Sequence, residues 1–213
     1  MSEALTAAQL DKLSLAASDL KGFLVKEPGA AEVLTQEDVR TGEADCAAVS
    51  QVMWGVALGD PAATALRRVT SELDNAAIDA ADSEEELDAA LAVTSTTVSL
   101  ASYDSPEQAR TAFKSLSSGI AECDGGFQSG AIGTGDTGKV SSDTPPEVGG
   151  ETVAFTATLG QDDGGLLGPT RAVVFRHGST IAQFSTVNPN AGVSDIDFDV
   201  PSTLVEAQDA KLG

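Results

Sequence analysis

Two cysteines and one histidine are the residues of this sequence whose types most readily support nucleophilic, redox or metal chemistry. Cys46 and Cys123 lie far apart, neither belongs to a Cys-x-x-Cys unit, and His177 is beside neither of them. This spacing argues against a zinc site, a thioredoxin-type redox pair and a cysteine–histidine nucleophile. A structural disulfide is the simplest interpretation, and it indicates a protein that works outside the reducing cytosol. A cytosolic protein with two reduced thiols is the alternative.

The surroundings of the histidine do not predict catalysis. His177 precedes Gly178 at the tip of a predicted hairpin, where turn geometry and exposure govern the choice of residue. A Ser-His-Asp triad needs a histidine that a carboxylate holds in a pocket. The sequence has no Gly-x-Ser-x-Gly, Walker A or dinucleotide motif, and the glycines of 130–135 lack the strand-to-helix setting of a phosphate-binding loop. We therefore predict no enzyme and no cofactor.

One acidic segment imitates a calcium loop. Residues 195–199 read Asp-Ile-Asp-Phe-Asp, and Glu206 stands eleven residues after the first aspartate. Val200 occupies the position at which such a loop needs glycine, and Pro201 follows it. The alternation of apolar residues through Val200 instead predicts a strand with one buried face, so no metal site is predicted.

Composition limits the class of protein. A chain of 213 residues with 41% apolar content can bury one sizeable core, so we predict a single domain over 1–213. The balance of 12 basic against 33 acidic residues disfavours nucleic acid and anionic membrane surfaces as partners. The acidic segment 74–88 has no lysine or arginine and predicts a solvated helix or a mobile loop. No signal peptide and no bilayer-spanning run are visible.

Capping residues followed by apolar periodicity predict four helices. The clearest has Ser105 as N-cap, proline at N1 and glutamine at N3, and it runs to Cys123. Asp45 is the predicted N-cap of an earlier helix that ends at Gly59 and carries Trp54. The other two helices are predicted to begin at the capping box 6–9 and at Pro201, with a further capping box at 203–206.

Runs rich in β-forming residues predict strands at 23–25, 67–70, 92–103, 153–159, 171–176 and 180–185. The last two form the strongest hairpin signal in the sequence. Segments 28–41, 130–138 and 161–169 are predicted loops, the first with a turn at 35–38. In the predicted order, helices come first and one further helix lies within a run of strands. This order favours an α+β domain with an antiparallel sheet over a doubly wound α/β fold.

These pieces together resemble the extracellular sensor domain of mycobacterial PknH-type kinases and its relatives among actinobacterial surface lipoproteins. The resemblance covers most of the chain. In the first half it is carried by the pattern Leu-Thr-x-x-x-Leu at 5–10, a cysteine in an early helix and the strand 98–103. It continues with the segment Ser-Pro-Glu-Gln-Ala-Arg-x-x-Phe at 105–113 that runs to Cys123, the hairpin 172–184 and the terminal helix. Two features depart from the family. Many relatives have Trp-x-x-Cys where this chain has Ile120-Ala121-Glu122-Cys123, and the kinase domain has two disulfides.

The resemblance implies a curved antiparallel sheet flanked by helices, with an open cleft for an unidentified ligand. No kinase or transmembrane segment accompanies the domain, so the lipoprotein branch fits better than the receptor kinase. We therefore expect a non-catalytic, extracellular, cell-surface domain that binds or senses a small molecule or an envelope component. Its membrane contact would be only an N-terminal lipid anchor that this sequence does not include. The alternatives are a hydrolase with an acidic cleft, or a structural or protein-interaction domain of the envelope.

Trp54 and Tyr103 are the predicted ligand-binding residues. Each joins an apolar ring to a hydrogen-bonding tip, a combination suited to the wall of a cleft. The alternative is that both are core residues, as burial preferences favour.

Overall fold

The computed structural model of the protein describes residues 4–131, 136–160, 166–189 and 197–213. A nine-stranded antiparallel sheet forms its middle layer and does not close into a barrel. The strands are β1 (Phe23–Lys26), β2 (Val39–Thr41), β3 (Ala63–Ser71), β4 (Ser95–Ser102), β5 (Phe127–Ala131), β6 (Asp136–Asp143), β7 (Glu151–Gly160), β8 (Leu166–His177) and β9 (Thr180–Val187). Their order across the sheet is β1-β3-β4-β9-β8-β7-β6-β5-β2.

Six α-helices flank the sheet or extend from it. They are α1 (Ala7–Leu13), α2 (Ala47–Met53), α3 (Asn75–Ala80), α4 (Glu84–Ala90), α5 (Pro106–Glu122) and α6 (Ser202–Leu212). Within the described ranges, none of these helices has the length and apolar character needed to cross a membrane. The antiparallel sheet with flanking helices confirms the predicted α+β class.

Helices cover both faces of the central strands. Val173 and Val174 are adjacent in β8 and point to opposite faces, and each lies in a different hydrophobic core. The core around Val174 includes Val49 of α2 and Leu116 of α5. The core around Val173 includes apolar residues of α1 and α6. Burial on both faces explains why β8 and β9 are apolar at successive positions instead of alternating.

Cys46 and Cys123 form a disulfide with an S–S distance of 2.02 Å, the pairing that the sequence predicts. Cys46 is the last residue of a 3₁₀ turn that leads into α2, and Cys123 is the C-cap of α5. Both side chains are buried. The bond therefore ties the beginning of α2 to the end of α5 within one core.

The helix that carries the tryptophan is shorter than predicted. Asp45 lies in the 3₁₀ turn, Cys46 is the N-cap residue, and α2 ends at Met53. Gly55 adopts a φ of 72°, a left-handed conformation that glycine tolerates and that ends the helix before Gly59.

The capping predictions at the other helices have different outcomes. The capping box of α1 is confirmed, and the Ser105 hydroxyl accepts a hydrogen bond from the Gln108 N–H at the beginning of α5. The capping box at 203–206 is wrong, because α6 has Pro201 as its N-cap and no side-chain capping bond. The acidic segment forms two short helices, α3 and α4.

Three predicted loops contain strands. Gly130 and Ala131 belong to β5, residues 136–138 belong to β6, and 166–169 belong to β8. The segment 28–41 contains two 3₁₀ turns, one of them at the predicted turn 35–38, and ends in β2. Pairing with neighbouring strands orders these glycine-rich or polar segments: β5 lies between β2 and β6. Segments 132–135 and 161–165 lie outside the described residues.

The strand predicted at 195–200 is wrong in its described part. Residues 197–200 belong to no strand, and residues 195 and 196 lie outside the described ranges. Asp197 and Asp199 form ion pairs with Arg171 of β8, and the Arg171 guanidinium lies over the Phe198 ring. This segment is therefore held by contacts with Arg171 of β8 and not by backbone pairing with a strand.

We predict that reduction of the disulfide lowers the free energy of unfolding by about 4 kcal/mol, because the bond closes a long loop in the unfolded chain. Guanidinium denaturation with and without dithiothreitol measures the difference. A Cys46→Ala/Cys123→Ala variant should show the lower stability in both conditions. Equal stability of the oxidised and reduced wild type would contradict this.

We also predict that Gly119→Ala destabilises the protein. A Cβ atom at Gly119 would lie 2.9 Å from the Asp45 carbonyl oxygen and 3.2 Å from Val49 Cγ2, where α5 meets the beginning of α2. Overpacking there should lower the free energy of unfolding by about 1 to 3 kcal/mol, although alanine is the better helix former. The neighbouring exposed change Ser118→Ala is the control and should stay within about 0.5 kcal/mol.

Candidate functional site

The described residues do not assemble a metal centre. No group of three or more His, Cys, Asp or Glu side chains in the described ranges could hold a metal ion. His177 is exposed at the end of β8, on the predicted hairpin. The acidic segment surrounds a shallow cavity of about 600 Å³ between α3 and α4, and most of its lining is alanine. Among its described lining residues, alanines outnumber the polar residues Ser71, Glu72, Asp74 and Glu86.

A second cavity, of about 280 Å³, lies on the sheet where the layer of α2 ends, and we call it the Trp54 groove. Its lining residues are Pro28, Glu32, Val33, Leu34, Met53, Trp54, Gly55, Leu66, Arg67, Arg68, Ser95, Thr97, Ser185 and Val187. They come from three strands, from the end of α2 and from the segment before β2. Residues distant in the sequence therefore meet at one place.

Strand register forms the floor of the groove. Arg68 of β3 is paired with Thr97 of β4, and Thr97 is paired with Ser185 of β9. Paired residues of adjacent strands have neighbouring side chains on the same face. The residues between them, such as Val98 and Phe184, face the core of α1 and α6. The floor is thus a row of polar side chains on a sheet whose other face is apolar.

The end of α2 forms one wall of the groove. Trp54 is partly buried, and its indole Nε1–H donates to Ser129 Oγ at 3.0 Å. Gly55 approaches the floor so closely that a Cβ atom there would lie 2.8 Å from Thr97 Cγ2. Glycine after the tryptophan is therefore required both by its positive φ and by this contact.

Buried polar side chains hold this wall on the sheet. Ser185 Oγ donates to the Met53 carbonyl at 2.8 Å. Gln183 Nε2 donates to the Val56 carbonyl at 3.0 Å, and Gln183 Oε1 accepts from the Leu58 N–H at 3.1 Å. A buried group without a partner is costly, so these bonds define one arrangement of the segment after α2. These three bonds therefore attach the wall of the groove to the sheet.

Tyr103 does not line the groove. Its side chain is only 1% exposed, and its hydroxyl donates to the Leu58 carbonyl at 2.6 Å. Burial raises the pKa of the phenol well above its ordinary value. Tyr103 therefore occupies the core position that the alternative describes, and its role in ligand binding stays a prediction. The prediction for Trp54 remains open, because Trp54 lines the groove.

The segment before β2 forms the opposite wall. It contributes Val33 and Leu34 as apolar surface, together with Glu32. A Glu32 carboxylate oxygen accepts from the Gly29 N–H at 2.8 Å and so stabilises the turn in which it lies. The sequence predicts only a loop for this segment, since no local pattern shows which strands it faces.

Arg68 also lines the groove, a position that the sequence alone did not indicate. Arg67 beside it is held by Asp11 and by the Leu66 carbonyl. Arg68 forms none of the ion pairs of the described residues. The available signal was the position of the Arg67-Arg68 pair, directly before a segment without any basic residue.

Comparison with solved structures shows a similarity of fold. No protein-family model matches the chain, and no curated protein matches it. The crystal structure of the extracellular domain of PknH from Mycobacterium tuberculosis superposes with a TM-score of 0.52. The chain is similar in fold to that domain. The match covers 99% of this chain and 95% of the PknH domain at 11% identity, so it relates the folds alone.

We predict that Gln183→Met lowers the free energy of unfolding by about 2 to 3 kcal/mol, because it leaves one buried carbonyl and one buried N–H without partners. Hydrogen exchange of the Leu58 amide should become faster than that of amides in β8. Ser185→Ala, which removes a single bond, should have about half the effect on stability. Unchanged Leu58 exchange in the Met variant would show that Gln183 does not hold the wall.

Proposed function

We propose that this protein is a non-catalytic, extracytoplasmic sensor-type domain that binds a small molecule or an envelope component in the Trp54 groove. The observation that carries the proposal is the preformed wall. Three hydrogen bonds from Gln183 and Ser185 fix the backbone beside a cavity that nothing in the described core fills. A concave, partly apolar site with a few placed polar groups is the usual form of a ligand site.

Two observations support an extracytoplasmic location. The disulfide between Cys46 and Cys123 is typical of oxidising compartments. The fold is similar to that of a domain described as extracellular. We further propose that the chain belongs with PknH-type sensor domains, in the branch of surface lipoproteins, and that a lipid anchor preceding this sequence attaches it to the cell surface.

The chemistry of the groove supports binding over catalysis. Its lining includes one carboxylate, that of Glu32, and this group already accepts a backbone hydrogen bond. General acid–base or nucleophilic catalysis requires a base within hydrogen-bond reach of the reacting group. Among the described lining residues, an aromatic ring, two arginines and several hydroxyl groups can bind and orient a molecule.

Native mass spectrometry of the protein purified from an actinobacterial host tests the proposal. We expect a co-purified molecule on the wild type that is lost in Val33→Phe, since the larger side chain fills part of the groove. Leu87→Phe, which also introduces a phenyl ring but at a residue 38% exposed in α4, is the control and should retain the molecule. Retention by both variants would place the site elsewhere.

We predict that Trp54→Leu lowers affinity for the co-purified molecule at least tenfold but lowers the free energy of unfolding by only about 1 to 2 kcal/mol, because Trp54 is partly exposed. Tyr103→Leu should cost about 3 kcal/mol or more and leave the affinity of the folded protein nearly unchanged. Calorimetric titration and thermal unfolding of both variants measure the two effects. The opposite pattern would mean that Trp54 is a core residue only.

A further inference from the structure

Arg68 lines the Trp54 groove and forms no ion pair with any described residue. Its Nε atom is buried and has no hydrogen-bond partner among the described residues. The other arginines with buried or partly buried side chains, Arg67, Arg171 and Arg176, each form an ion pair. In a chain with 33 acidic and 12 basic residues, a cation that lines a cavity and lacks a carboxylate is the exception.

The neighbours of Arg68 suit an oxyanion. The guanidinium has a planar fork of donors that matches a carboxylate, and its buried Nε lacks an acceptor. Thr97 is its paired residue on β4, and its hydroxyl can donate a further hydrogen bond. Ser95 lines the same cavity two residues before Thr97 and offers a second hydroxyl.

The remaining surface favours an apolar body on the same ligand. Trp54 and Leu66 line the groove beside Arg68, and Val33 lies in the opposite wall. Burial of apolar ligand surface against these side chains is favourable. The ligand that matches both halves of the groove is an amphiphile with a small anionic head.

The charges around the groove favour a single negative charge. Arg67, the other cation of the lining, is already paired with Asp11. Glu32 lies in the wall opposite the end of α2, and the whole chain carries a net charge of −21. Both disfavour a dianion such as a phosphate monoester more strongly than a carboxylate. We propose that the Trp54 groove binds a monoanionic carboxylate, with Arg68 as the residue that recognises its head and Trp54 as a contact of its apolar body. This inference rests on the function proposed above.

Three matched probes test this inference: octanoate, its neutral isostere octanamide, and octyl phosphate. Trp54 is the only tryptophan of the chain, so intrinsic fluorescence reports binding at the groove. We expect wild-type protein to bind octanoate about tenfold or more tightly than octanamide, because hydrogen bonds to a charged group are the stronger ones. Octyl phosphate at pH 7.5 should bind more weakly than octanoate.

The variant Arg68→Gln should lose this preference and bind octanoate and octanamide with similar affinity. Its unchanged binding of octanamide shows that the groove is still folded. Arg40→Gln, which removes the same charge at an exposed position of β2, is the control and should keep the preference.

Each other outcome contradicts a stated claim. Equal affinity of the wild type for octanoate and octanamide, or loss of the preference in Arg40→Gln as well, would overturn recognition by Arg68. Tighter binding of octyl phosphate would overturn the carboxylate as ligand. Absence of binding by all three probes, together with absence of a co-purified molecule, would overturn the proposed function and this inference with it.

Discussion

Burial of the central strands on both faces constrains the rest of the molecule. Because helices cover β4, β8 and β9 on each side, a buried polar side chain on these strands is stabilised when it finds a partner in the adjoining layer. Gln183 and Ser185 obtain theirs from backbone groups of the segment that follows α2. This segment is therefore attached to the sheet by specific bonds, and the groove beside it has a defined shape without a ligand.

The chain has few basic residues, and most of its buried or partly buried arginines form ion pairs with aspartate or glutamate side chains. Arg171 holds the segment 197–200 through two aspartates, and Arg176 binds Glu151. The Arg176 contact, through its hydrogen bond and its charge, lowers the pKa of the Glu151 carboxyl. Arg68 also lines a cavity, but unlike Arg171 and Arg176 it forms no ion pair with the described residues. This difference is the physical basis for the proposal that Arg68 serves a ligand.

The likeness to the PknH extracellular domain at 11% identity is consistent with a fold that depends on a pattern of burial more than on particular side chains. Cores accept many combinations of apolar residues of suitable volume. Ligand sites are less tolerant, because their polar groups must match one partner. A shared fold therefore does not imply a shared ligand, and the ligand class of the Trp54 groove has to be inferred from the residues that line it.

Local signals in the sequence determined the elements whose stability is local. Helix α5 follows from Ser105, Pro106 and Gln108, and the β8–β9 hairpin follows from its apolar runs around Gly178. The two cysteines determined their pairing because each had no other possible partner. Composition and element order were enough for the α+β class.

Tertiary structure alone decided the features that depend on distant neighbours. Pairing with β2 and β6 makes a strand of the glycine-containing segment at 127–131, although its own propensity favours a loop. Trp54 and Tyr103 looked equivalent in the sequence, yet one lines a groove and the other is in the core. Arg68 lies in the same groove as Trp54 only through the register of β3 with β4. Propensity and capping act over a few residues, whereas the face and surroundings of a side chain depend on strands far away in the chain.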